Sequence, residues 1–86
     1  MPEISRFFGI IIRMYLNDHP PPHFHALYGD DEALIEIDTL GLLRGSLPRR
    51  ATALVLEWAA LHREELRAVW VQAHEGTSLA TIAPLD

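Results

Sequence analysis

The 86-residue chain is 49% hydrophobic and 22% charged and contains no cysteine, which leaves room for one small domain and excludes a two-domain enzyme. Without cysteine there is no disulfide framework, thiolate zinc site or cysteine nucleophile, and a reducing cytoplasm is the expected setting. A net charge of −5 opposes a general nucleic-acid coat protein, whose affinity rests on neutralising phosphates.

The longest near-apolar run, Phe7 to Ile12, ends at Arg13 and is far shorter than the roughly 20 residues of a membrane span. The first residues, with Glu3 and Arg6, do not read as a signal peptide. From Phe7 to Leu16, the alternate positions Phe8, Ile10, Ile12, Met14 and Leu16 are all apolar, the period of a strand with one buried face. Asn17-Asp18-His19 and three prolines form a stiff connector, because proline fixes φ and forces the preceding residue into extended conformations. A second strand is expected over His23–Tyr28, with Phe24, Ala26 and Tyr28 inward, and Gly29-Asp30-Asp31 reads as a hairpin turn. A third strand, Glu32–Asp38, points Ala33, Ile35 and Ile37 inward, and Leu42–Leu47 is a weaker fourth.

The rest of the chain is helical. Pro48 suits a first turn, and Ala51, Leu54, Val55, Trp58 and Leu61 repeat at three- and four-residue steps. His62-Arg63-Glu64-Glu65 reads as a new helix start, carried on by Leu66, Val69, Trp70 and Ala73 up to Gly76, although one long helix fits nearly as well. The expected fold is α+β: a small antiparallel sheet of three to four strands within about residues 7–47, two helices within about 48–75 packed on one face, and an extended tail over 77–86. Phe8, Ile10, Ile12, Phe24, Ile35 and Ile37 should meet Leu54, Trp58, Leu66 and Trp70. The other sheet face would carry Arg13, Tyr15, His23, His25, Leu34, Glu36 and Asp38. A chain of this size buries only about 60% of its unfolded surface, so a homodimer or a hetero-partner is expected to cover the remainder.

The strongest local signal is His19-Pro20-Pro21-Pro22-His23-Phe24-His25, three of the five histidines in one short run. A two-residue step along a strand covers roughly 6 to 7 Å and keeps both imidazoles on one face, within reach of a common ion, phosphate or water. The structural alternative is that His23 and His25 are ordinary strand residues and His19 a turn residue.

The run from Pro2 to Gly29 that contains this motif, with Leu47-Pro48-Arg49-Arg50-Ala51 and Glu57 to Leu66, resembles the bacterial family of domain of unknown function 4160. The Pro-His-Phe-His segment after Asn-Asp-His carries most of the likeness; Leu42 and Arg44 stand where relatives commonly have acidic residues. The resemblance implies a short protein often encoded beside a second small protein, an arrangement that has prompted toxin–antitoxin predictions, and it assigns no catalytic residue.

Three function classes follow. In a metal-independent ribonuclease, His23, His25, Arg13, Glu36 and Tyr15 would supply the acid, the base and the phosphorane-stabilising charge, with RNA as substrate and no cofactor. In a metal site, His19, His23 and His25, with Glu36 or Asp38 added, would hold zinc, nickel or copper. In a non-catalytic, antitoxin-like module, the acidic surface and the helices carrying Trp58 and Trp70 would bind the neighbouring gene's product. A helix-turn-helix is disfavoured, since the second helix sets Arg63 and Arg67 against Glu64, Glu65 and Glu75. The expectation is a cytoplasmic, toxin-like partner in a two-gene module, acting through its histidine-bearing sheet face.

Overall fold

The isoleucine-rich start of the chain folds as a hairpin, not as the single strand expected over Phe7–Leu16. In the computed structural model, which describes residues 2–86, β1 (Glu3–Phe7) turns through Phe8 and Gly9 into β2 (Ile10–Arg13). Both turn residues have positive φ, 49° and 79°, the backbone that a two-residue hairpin needs to match strand twist. Phe8 therefore leaves the core and is 58% exposed, and beyond the strand Leu16 is exposed as well.

The chain continues through β3 (His23–Tyr28), β4 (Asp31–Glu36), β5 (Leu42–Gly45), α1 (Arg49–Leu61) and α2 (Arg63–Glu75). The strands form one five-stranded antiparallel sheet in the order β1-β2-β3-β4-β5, one strand more than the upper expectation. The fold is α+β, and the extra strand is β1. Its apolar residues Ile4 and Phe7 are interrupted by Ser5 and Arg6, and the β1–β2 register shifts between Glu3 and Ser5. That bulge breaks the alternation a sequence scan depends on.

One sheet face carries Ile10, Ile12, Phe24, Ala26, Ala33 and Ile35, all buried. Against it α1 packs Ala51, Val55, Trp58 and Ala59, and α2 packs Leu66, Val69 and Ala73. Trp58 is fully buried, with its ring 5.3 Å from Phe7 and 5.8 Å from Phe24 between centroids. Its indole N–H donates to Ala83 O at 2.9 Å, and Ile82 N–H donates to Ile4 O at 2.7 Å, so the extended tail lies across the core without forming a strand. Tyr28, expected inward, is 40% exposed at the β3–β4 hairpin.

The helical region divides at His62, whose N–H is shared between Trp58 O and Ala59 O. Glu64 and Glu65 occupy the first turn of α2, where the helix dipole favours acids, and Gly76 ends it with φ 74°, a left-handed cap that glycine adopts without strain. No helix among the described residues is long and apolar enough to cross a membrane.

Because Trp58 ties α1, the sheet and the tail together, Trp58→Ala should lower the unfolding free energy by about 3–5 kcal/mol, a large part of what a small domain has. Trp58→Phe keeps much of the packing, loses the bond to Ala83 and should cost less. Urea unfolding of both variants, followed by circular dichroism, checks the order; equal losses would show that the aromatic packing is not the main contribution.

Candidate functional site

Register places the sheet's second face. Glu3, Arg13, His25, Leu34 and Arg44 pair in one row across all five strands, and His23 pairs with Glu36 in β4; paired residues share a face and lie within side-chain reach. Arg13, His23, His25, Leu34 and Glu36 therefore stand together on the side away from the core. The expectation of a solvent-facing histidine pair needs correction: His23 is only 5% exposed and His25 only 8%. The segment between β2 and β3 folds back over them, bringing the Tyr15 ring to 4.3 Å from His25, edge to face, while Trp70 of α2 lies 5.4 Å from His23. Trp70, expected in the core, packs its partly buried ring against the core cluster and lies beside His23 as well.

The two imidazoles, 5.3 Å apart between centroids, are oriented from behind. His23 Nδ1–H donates to Pro21 O at 2.8 Å, and His25 Nδ1–H donates to the Glu32 carboxylate at 2.9 Å. Neither acceptor can supply a proton in return, so both Nδ1 atoms carry hydrogen. Both Nε2 atoms then point at one oxygen: Asp18 Oδ2 is 3.0 Å from His23 Nε2 and 3.1 Å from His25 Nε2. Burial alone would raise the Asp18 carboxyl, but contact with the His25 ring, the His19 backbone N–H and, when the rings are protonated, positive charge at the imidazoles outweigh it and hold the carboxyl below the usual aspartate range. An anionic oxygen and two ring nitrogens thus converge at hydrogen-bonding distance. The three donor atoms all lie within 4.8 Å of one another.

Asp18 is held by the loop around it. Asn17 adopts φ 55°, which asparagine tolerates better than most residues, and its N–H donates to Ala73 O at 3.3 Å. The His19 N–H donates to Asp18 Oδ1 at 2.9 Å, leaving Oδ2 for the histidines. His74 in the last turn of α2 donates Nδ1–H to Trp70 O and Nε2–H to Asp18 O, both at 2.9 Å. Two carbonyl acceptors on one ring favour the imidazolium, and the Trp70 carbonyl, then that of Asp18, raise the His74 pKa above its ordinary value.

Of the residues expected at the site, His23, His25, Arg13 and Tyr15 are brought together. Glu36 is beside His23 by register, while the His25 ring bonds Glu32. His19 is exposed, and only its backbone N–H reaches the cluster. Asp38 pairs with Arg67 at 2.8 Å, away from the histidines. Asp18 and Glu32 are the members that sequence reasoning missed. Asp18 lies within the Asn-Asp-His motif, but its approach to His23 and His25 depends on how a triple-proline loop folds, which no periodicity reports.

His74→Ala removes the two-bond clip between α2 and the loop. The Asn17 amide should then exchange with solvent faster while the β3–β4 ladder amides keep their protection. Hydrogen exchange read residue by residue checks this, and unchanged Asn17 protection would show that the loop does not need the clip.

The family model for a domain of unknown function, DUF4160, matches residues 9–71, from the β1–β2 turn into α2 and including Asp18, His23, His25 and Glu32. No curated protein and no solved structure matches the chain. With well over half of its length matched, the chain belongs to the DUF4160 family.

Proposed function

We propose that the protein binds one divalent transition ion on Asp18 Oδ2, His23 Nε2 and His25 Nε2, and that this centre is its functional site. The observation that supports the reading is the convergence of these three atoms while each imidazole is oriented through Nδ1–H by an acceptor behind it, the arrangement that fixes the tautomer of metal-bound histidine. Bonds of about 2.1 Å from one ion to imidazole and carboxylate place adjacent ligands about 3.0–3.4 Å apart. The Nε2 to Oδ2 separations of 3.0 and 3.1 Å lie at the short end of that range, so a tetrahedral ion would open them by a few tenths of an ångström.

Two histidines and a carboxylate with an open position are a ligand set for catalytic zinc, and imidazole also suits nickel and copper. The open side borders a shallow cleft of about 310 Å³, lined by both Asp18 and His23. A metal-bound water there would be acidified towards neutrality and would serve hydrolysis.

A second reading, the metal-free ribonuclease of a toxin-like module, draws on Arg13. It is paired with His25 across the ladder, and its buried Nε has no acceptor within the protein. It needs an Nε2 released from Asp18 before a ribose hydroxyl could be deprotonated.

The untagged purified protein should retain close to one equivalent of zinc, nickel or copper. Asp18→Asn and His25→Ala should each abolish retention, and Glu32→Gln, which disturbs only the support behind His25, should weaken affinity by about 10–100-fold. Because His23 and His25 are buried, circular dichroism of each variant must confirm folding first. Retention that is absent, or equal in all variants, would contradict the metal reading. RNA cleavage that survives a chelator and disappears in Arg13→Ala would support the second.

A further inference from the structure

We infer that the cleft beside the Asp18–His23–His25 cluster binds a small organic carboxylate, its head held between the metal's open position and Arg44 and its apolar part against Leu34, Leu43, Pro20 and Pro21. This rests on the metal reading. The β4–β5 ladder shifts register between Leu34 and Ile35, so that Leu34 pairs with Arg44 while the adjacent Ile35 pairs with Leu42, leaving Leu43 as the extra residue. A bulge of this kind re-aims side chains, and here Leu43 and Arg44 both line the cleft that Asp18 and His23 border.

Arg44 forms no ion pair among the described residues. It lies two strands from His25 along one row with Leu34 between them, about 10 Å between backbones by strand spacing, so a ligand reaching from Arg44 towards the cluster crosses over Leu34. The guanidinium fork matches a carboxylate in plane and spacing.

Charge and shape narrow the ligand. Asp18, Glu32 and Glu36 surround the cluster, so each further negative charge brought in is opposed; a singly charged head is favoured over a phosphate dianion, and a polynucleotide is disfavoured further by the net charge of −5. The cleft volume, about 310 Å³, is at the small end for ligand sites, and Leu34, Leu43, Pro20 and Pro21 offer an apolar body contact, with His19 as a further polar residue of the lining.

The test uses the full chain loaded with Co²⁺, whose visible spectrum reports ligand exchange, and benzoate as the probe, with phenyl phosphate and inorganic phosphate as comparison arms. Benzoate should shift the cobalt spectrum saturably, and the exposed Arg44→Ala variant should bind it about tenfold or more weakly with cobalt affinity unchanged. Arg44→Lys should recover part of the loss. If the protein takes up no Co²⁺, the metal reading fails and this inference with it. If cobalt is bound but benzoate leaves its spectrum unchanged, binds equally well to Arg44→Ala, or is outcompeted by phenyl phosphate or phosphate, the carboxylate inference alone is overturned.

Discussion

One carboxylate oxygen, Asp18 Oδ2, faces two imidazole nitrogens at 3.0 and 3.1 Å, and the rest of the second sheet face is arranged around that meeting. Pro21 O and Glu32 hold the rings from behind, the His19 N–H occupies the other Asp18 oxygen, and His74 fastens the Asp18 backbone to the end of α2. Every one of these bonds narrows the choice of proton positions. Tyr15 packs edge-on against His25, and Trp70 lies beside His23. Buried polar groups are costly unless satisfied, and on the metal reading an ion bound between the three atoms completes the set.

The core on the opposite face supplies the rigidity such a site needs. β3 carries both sets of residues: Phe24 and Ala26 point into the apolar layer under Trp58, and His23 and His25, one residue out of phase, point to the cluster. Any slip of β3 by one residue would exchange the two faces, so core packing and imidazole placement are fixed by the same register. α2 serves both sides as well, with Leu66, Val69 and Ala73 buried in the core and Trp70 and His74 at the loop.

The parts that follow from local pattern were legible in the sequence. The alternation in β3 and β4, the acidic start of α2 at Glu64 and Glu65, and Gly76 as a helix end each depend on neighbours close in the chain. Phe8 was misplaced because an aromatic residue in a left-handed turn leaves no compositional mark, and β1 was missed because its bulge disrupts the two-residue period. The histidine pair was found from its spacing, yet its burial was not, since the cover comes from Tyr15, from the folded proline loop and from Trp70, far along the chain. Asp18 and Glu32 reach the rings through loop closure and a diagonal across the β3–β4 ladder, two relations that need the register before they can be read.

The central claim is that both histidines keep hydrogen on Nδ1 and turn bare Nε2 atoms towards Asp18 to receive an ion. Long-range proton–nitrogen NMR spectra of the uniformly ¹⁵N-labelled protein, recorded metal-free and during addition of zinc, read this directly. The expected result is that the zinc-loaded His23 and His25 both carry hydrogen on Nδ1, with their Nε2 resonances moving together and saturating at one equivalent. Nε2 resonances that do not respond to zinc, or hydrogen found on Nε2 with Nδ1 bare in either ring of the zinc-saturated protein, would contradict it.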